Sequence, residues 1–197
     1  MMYSKVLRVE PTRESTRVLL EYYGKEPLPG QFVGLVFPGE SEIPLGVTDY
    51  KEGELELYVD SERLVQYLRK MSRVIVEGPF GKPVEIRGNV MGIAVGRLYH
   101  DLLYPLRIAK RKGYQASLNC ESCTDEFQRP SQEVRWDLIL ASVPLEFIKT
   151  LPRNTLVYVR WVKMNCMMGV CGVCNVKGFL PCVEGPFMEV EKVVDKG

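Results

Sequence analysis

A chain that ends in four closely spaced cysteines must fold so that its tail wraps around something that thiolates bind. Cys166-x4-Cys171-x2-Cys174-x7-Cys182 places four thiols within seventeen residues. Gly169 and Gly172 lie between them, and glycine lets a backbone pass close to a small object. Thiolate ligation of an iron–sulfur cluster needs three ligands from one loop and a fourth from a nearby segment. A Cys-x4-Cys-x2-Cys…Cys spacing reads as [2Fe–2S]. Tetrahedral zinc is the rival, because four cysteines satisfy it as well. Zinc ribbons, however, offer two Cys-x2-Cys pairs far apart, whereas here the first gap is four residues and the last is seven.

The rest of the chain bounds what this tail can serve. At 197 residues it holds one large domain or two small ones. Its 46% apolar content is enough for buried cores. The 26 Lys and Arg nearly cancel the 25 Asp and Glu, so no net basic field favours nucleic acid. The longest apolar runs, such as Val90–Val95, fall far short of a membrane span. The N-terminal residues alternate like a strand and lack the apolar core of a signal peptide. A cytoplasmic location is the expectation. There, six cysteines are better read as metal ligands or thiols than as a disulfide framework.

Periodicity divides the chain into three. Residues 1–87 read as a small β-barrel, with strands expected at Ser4–Glu10, Thr16–Tyr23, Gln31–Phe37, Leu45–Thr48, Glu54–Val59 and Arg73–Glu77. Ser61 is placed to cap a short helix, Glu62–Met71, with Leu64, Val65 and Leu68 on one face. Gly78-Pro79-Phe80-Gly81 reads as a turn. Residues 88–160 alternate strand and helix, which implies a small parallel α/β sheet with right-handed crossovers. Its strands are expected at Asn89–Val95, Tyr114–Asn119, Asp137–Ala141 and Thr155–Val159, and its helices at Arg97–Lys112 and Leu145–Leu151. Pro105 kinks the first helix or marks its start. Residues 161–197 form the cysteine module.

The tail resembles that of the electron-transfer subunits of two-subunit dihydroorotate dehydrogenases. Their loop reads Cys-x-x-Gly-x-Cys-Gly-x-Cys followed by Val-Cys-x-x-Gly-Pro-x-Phe. This chain has Cys166-Met167-Met168-Gly169-Val170-Cys171-Gly172-Val173-Cys174 and Pro181-Cys182-Val183-Glu184-Gly185-Pro186-Phe187. The resemblance implies a ferredoxin-reductase-like flavin barrel, a reduced nucleotide-binding-like α/β domain and a C-terminal [2Fe–2S] module held by Cys166, Cys171, Cys174 and Cys182. It implies a relay of electrons, within pyrimidine biosynthesis, from the FMN of a dihydroorotate dehydrogenase catalytic subunit in a heterotetramer. Two other readings stand beside it. One is the electron-transfer subunit of a sulfhydrogenase or a ferredoxin–NADP oxidoreductase, and the other is a zinc-stabilised interaction protein without redox chemistry.

The same resemblance sets expectations for the flavin and the nicotinamide. FAD would contact Pro44, Leu45, Gly46, Ser61, Gly78 and Pro79. Relatives neutralise the flavin phosphate with an Arg where this chain has Ile43, and bond the ring edge with a Ser where it has Gly46. Asp60 adds negative charge beside Ser61, whereas a phosphate site wants donors and positive charge. NAD(P) is not expected. Relatives carry a run of glycines after the first strand of this half, and this chain reads Val95-Gly96-Arg97-Leu98-Tyr99-His100-Asp101, so side chains obstruct the close approach that glycine permits. Cys120 and Cys123 read as plain thiols or a disulfide before a redox dithiol or a metal half-site. His100, the one histidine, has no paired nucleophile and is given no role. Met164, Met167 and Met168 flank the first ligand as apolar cover or partner-facing surface.

Overall fold

The computed structural model describes residues 1–37, 39 and 42–194. Six strands close a barrel: β1 (Met2–Pro11), β2 (Thr16–Glu21), β3 (Phe32–Val36), β4 (Ile43–Lys51), β5 (Glu54–Val59) and β6 (Arg73–Phe80). Their order around the barrel is β1-β2-β5-β4-β3-β6. β-Branched and aliphatic residues at alternate positions send one face inward. Val18 pairs with Leu57 and Leu20 with Leu55 across β2 and β5. With Leu35, Val74 and Val76 they form a core from which water is excluded, and each such side chain contributes roughly 1.5–3 kcal/mol of burial. Helix α1 (Glu62–Lys70) packs on that core through Leu64, Val65 and Leu68. Ser61 stands at its N-terminus as expected, but its hydroxyl makes no capping bond.

The second layer is a five-stranded sheet built from β7 (Val90–Ala94), β8 (Ala116–Asn119), β9 (Leu138–Ser142), β10 (Thr155–Tyr158) and β11 (Phe187–Glu189). Its order is β11-β10-β9-β7-β8. The four central and outer strands from β8 to β10 run parallel, and β11 lies antiparallel on β10. Helix α2 (Leu103–Arg111) crosses from β7 to β8 and buries Leu103 and Leu106 against Val90, Leu118 and Leu140. Among the described residues, no helix is long and apolar enough to cross a membrane.

Several local expectations are corrected. Gly78-Pro79-Phe80 continues β6 rather than turning, with a cis Gly78–Pro79 bond. Phe32 faces Phe80 and Gly34 faces Glu77, so β6 carries one extra residue against β3, and this bulge takes up the proline, which has no N–H to give the ladder. The long helix from Arg97 is instead a 3-10 stretch, Gly96–Leu102, followed by α2. Pro105 therefore falls in the first turn of α2, where a missing N–H costs nothing. Leu145–Thr150 is likewise 3-10, bounded by Pro144 and Pro152. The tail, read as a separate module, supplies short helices α3 (Pro181–Glu184) and α4 (Val190–Val193) and the edge strand β11.

The two layers meet along α2. The Tyr104 hydroxyl donates to the Pro27 carbonyl at 2.9 Å. Arg107 reaches into the barrel wall, donating to the Glu56 carboxylate at 2.6 Å and the Thr48 carbonyl at 3.1 Å. Arg17 holds the other oxygen of Glu56 at 2.6 Å.

Candidate functional site

The four tail cysteines sit on the excursion between β10 and β11. That excursion is closed at its base, where Tyr158 pairs with Phe187 and the Val159 N–H donates to the Pro186 carbonyl at 2.9 Å. Met164, Met167, Cys174 and Cys182 are buried together against Phe32 of the barrel. Met167 lies directly over Gly34, where a Cβ would stand 2.6 Å from the methionine methyl. Left-handed backbone at Met167, Gly169 and Gly172 coils the loop tightly. Cys182 enters from α3, whose first residue is Pro181.

Two of the sulfurs stand close together, and a third accepts a backbone hydrogen bond. The Cys174 and Cys182 sulfurs are 3.2 Å apart, and the Cys171 N–H donates to the Cys166 sulfur at 3.4 Å. Donors from the Cys171 and Met168 backbone hold the Cys166 thiol down to about 6. Burial, and then the neighbouring Cys174, push the Cys182 thiol up to about 12. Among the described residues, no three His, Cys, Asp or Glu side chains converge on one metal-sized position.

Beside this loop, a cleft of about 210 Å³ opens between the barrel and the second sheet. One wall is Pro44, Leu45 and Gly46 of β4, and Phe32 and Met164 join it to the cysteine loop. The opposite side carries Tyr58, His100, Asp101, Tyr158 and Arg160. Arg160 donates to Asp101 at 2.7 Å and to Asp60 at 3.2 Å. The Ser142 hydroxyl donates to the second oxygen of Asp101 at 2.6 Å. His100 stacks on Tyr58 with ring centroids 3.9 Å apart and planes 15° from parallel. Ser61, Gly78 and Pro79, expected with Pro44, Leu45 and Gly46 as flavin contacts, are not among the residues lining the cleft.

At the carboxyl ends of the parallel strands, Gly96 follows β7 with φ +52°. Cys120 and Cys123 follow β8 and are joined as a disulfide. The Cys123 sulfur lies 3.4 Å from the Gly96 carbonyl oxygen. Arg97 pairs with Asp60 at 3.5 Å.

No protein-family model matches the chain. It is 26% identical to the probable dihydroorotate dehydrogenase B (NAD(+)) electron transfer subunit of Methanopyrus kandleri, over 94% of this chain and 89% of that protein. Among solved structures, the NADH-dependent reduced ferredoxin–NADP oxidoreductase superposes with a TM-score of 0.79 at 22% identity, covering 98% of this chain and 90% of that one. The chain has a ferredoxin-reductase-like fold and is similar in sequence to a dihydroorotate dehydrogenase electron-transfer subunit. Phthalate dioxygenase reductase, described as transferring electrons from pyridine nucleotides to [2Fe-2S], shares the architecture at a TM-score of 0.57 and 13% identity, over 88% of this chain and 85% of its own.

Within this ferredoxin-reductase-like frame, the donor chemistry of the tail suits a thiolate-held metal group. Four thiols are present, one is already drawn toward its anion by backbone N–H groups, and apolar Met164, Met167 and Phe32 exclude water. The cleft suits a flat ring along Pro44, Leu45 and Gly46. It suits a diphosphate poorly, because Arg160, the one Lys or Arg lining it among the described residues, is engaged by Asp101 and Asp60.

Asp101, Tyr158 and Arg160 escape a reading of the sequence because they lie on two segments more than fifty residues apart. Two weak signals point to them. An aspartate stands inside the apolar run before Leu102-Leu103, and an arginine follows an apolar strand at the carboxyl edge of a parallel sheet.

His100 gives this cleft a pH signature. Burial, and then the Arg160 charge, hold its imidazole down to about 4, so it is neutral where it stacks on Tyr58. An unfolded histidine titrates near 6.5, so between roughly pH 6.5 and 4 the unfolded chain binds a proton that the folded chain refuses. Folding stability contributed by this group is therefore complete above that window and falls by about 3 kcal/mol across it. Asp101 opposes the trend, since burial raises its carboxyl. The difference between the wild type and His100→Gln thus isolates the histidine. Urea midpoints at pH 7 and pH 4.5 should fall more for the wild type than for the variant, and equal falls would contradict the assignment.

Proposed function

We propose that this chain is the electron-transfer subunit of a two-subunit oxidoreductase. In this reading Cys166, Cys171, Cys174 and Cys182 hold a [2Fe–2S] cluster, and electrons pass from the FMN of a dihydroorotate dehydrogenase catalytic subunit to an acceptor other than NAD. One observation carries the reading: Cys174 and Cys182 are buried with Met164 and Met167 against Phe32 of the barrel, and the same loop carries Cys166 and Cys171 on its more exposed side, where a backbone N–H is directed at the Cys166 sulfur. A bound cluster would supply one-electron chemistry at that point. The chain's own residues do the rest. Met164, Met167 and Phe32 keep the buried sulfurs dry, and Cys171, with its neighbours Met168, Val170 and Val173 exposed, faces outward where a partner can approach.

The choice of acceptor is supported at the strand ends. Dinucleotides need bare backbone there to approach a diphosphate. Here Val95 and Arg97 flank Gly96, and the Cys123 sulfur lies against the Gly96 carbonyl. For FAD, the ring's place in this reading is the cleft beside Pro44, Leu45 and Gly46, close to Met164 and so to the cysteine loop. With Arg160 already paired, the diphosphate end lacks a partner, so retention is weak.

Material purified anaerobically should be reddish-brown and contain about two iron and two acid-labile sulfide per chain. A colourless protein with zinc and no sulfide would overturn the cluster assignment. Co-purification with a flavoprotein that oxidises dihydroorotate separates this reading from the sulfhydrogenase and ferredoxin–NADP oxidoreductase types. Flavin extracted from the complex should be FMN, with FAD lost on gel filtration. Reduction of NAD⁺ as fast as of artificial one-electron acceptors would sink the acceptor assignment.

A further inference from the structure

The Cys120–Cys123 pair belongs to neither the cysteine loop nor the cleft, and its surroundings differ from those of a structural staple. We propose that it is a reversible thiol–disulfide redox site that exchanges with thiolates from small thiols or protein dithiols.

Four observations carry this. The bond spans a sequence separation of only 3, with Cα atoms 5.9 Å apart. The stabilisation gained by cross-linking grows with the length of chain enclosed, so so short a loop gives the fold little. The pair is also accessible. It lines an open cavity of about 560 Å³ together with Arg13, Ser122, Asp125 and Arg129, and exchange requires that an attacking thiolate reach a sulfur. Two guanidinium groups in the walls favour an incoming anion.

The fold also accommodates both redox states in place. The Gly96 carbonyl oxygen lies 3.4 Å from the Cys123 sulfur and 3.8 Å from the Cys120 sulfur. The Glu121 carbonyl lies 3.4 Å from Cys123 and 3.9 Å from Cys120. Opening the bond therefore leaves two S–H groups that already face acceptors. Finally, Ser122 holds left-handed backbone at φ +54° between the two cysteines, so the chain itself turns the sulfurs toward each other. All of this lies at the carboxyl edge of the parallel strands, the customary place for ligand chemistry in such sheets.

The exchange balances as follows. A thiolate RS⁻ attacks one sulfur of the pair, an R–S–S bond forms, and the Cys120–Cys123 bond breaks. The departing cysteine leaves as thiolate and takes a proton from water. A second thiolate attacks the R sulfur of the mixed disulfide, releasing R–S–S–R and the second cysteine thiolate, which is protonated in turn. Two electrons enter the pair, and two thiols of the reductant are oxidised.

The test uses the full chain, prepared anaerobically and equilibrated with graded ratios of reduced to oxidised dithiothreitol, and separately of glutathione. Samples are quenched with iodoacetamide and the tryptic peptide containing both cysteines is weighed. That peptide carries no cysteine of the tail, so the result is independent of whether a cluster is held there. The expected result is a reversible passage from zero to two alkyl groups under native conditions, with an unchanged circular dichroism spectrum. Response to glutathione as well as dithiothreitol identifies a site open to small monothiols, and response to dithiothreitol alone identifies one served by dithiols. Cys123→Ser should accumulate a stable glutathione adduct on Cys120, whereas the wild type should resolve it at least tenfold faster. A bond that opens only in denaturant, or a pair that stays as two thiols at every ratio, would overturn the proposal.

Discussion

Arg107→Ala is expected to lower the unfolding free energy by about 2–3 kcal/mol, less than the cost of leaving a buried charge wholly unpaired because Glu56 keeps Arg17. The Arg107 side chain is 16% exposed and its partner Glu56 only 5%. Arg107 is the most buried charged link from α2 to the barrel among the described residues, with Glu56 at 2.6 Å and the Thr48 carbonyl at 3.1 Å. Its contacts to Glu126 at 2.7 and 2.8 Å are more exposed and contribute less. Burial pushes the Glu56 carboxyl up, but Arg107 and Arg17 more than offset this and hold it below its ordinary value. Its stabilising share is therefore complete above the normal carboxylate range and is lost as pH falls through the lowered folded value. Removing Arg107 leaves Glu56 with Arg17 alone. Urea unfolding at pH 7 measures the loss, and Glu56→Gln combined with Arg107→Met should recover much of it. A single-variant loss below about 1 kcal/mol would place this pair among ordinary surface ion pairs.

Gly81→Ala should weaken the tail without touching a cysteine. Gly81 has φ +80°, and a Cβ there would meet the Gly185 carbonyl oxygen at 2.5 Å. That oxygen also accepts from the Lys82 N–H at 2.6 Å. Gly185 ends α3, which carries Cys182, so the clash is transmitted to a cysteine through three residues of backbone. Gly113→Ala is the matched control, because φ is +82° but nothing lies within 4 Å of its Cβ position. The control should cost about 1 kcal/mol of backbone strain. Gly81→Ala should cost more, and it alone should speed iron loss to a chelator. Equal stabilities and equal iron loss in the two variants would show that the Gly81–Gly185 contact does not govern the tail.

Much of this architecture could be read from residue patterns, and the exceptions have identifiable causes. The barrel strands are legible because their apolar residues alternate and because Gly and Pro punctuate them. β6 runs past Gly78-Pro79 because it bulges by one residue against β3 there, a compensation that depends on the pairing partner. The helix expected from Arg97 tightens to 3-10 before α2 because Pro105 leaves a regular helix only a late start. Three-residue β11 carries too little pattern to be seen, yet it determines where the tail returns. The four tail cysteines stand out by spacing, and the structure packs two of them, Cys174 and Cys182, sulfur to sulfur. The cleft was half visible: Pro44, Leu45 and Gly46 line it, but the Asp101–Arg160 pair joins residues far apart in sequence and had to await tertiary structure.

The hairpin base beneath the cysteine loop has a consequence for how such a protein matures. Tyr158 and Phe187 are locked strand to strand, and Val159 and Pro186 close the mouth above them. The strands of both sheets pair with one another on either side of that lock, outside the cysteine loop. Zinc fingers and similar minidomains collapse when stripped of metal, whereas a scaffold paired outside its cysteine loop would, on the proposed reading, be finished before a cluster arrived. Biogenesis machinery would then meet a standing cup rather than a nascent chain, and demetallated protein should survive as a loadable reserve.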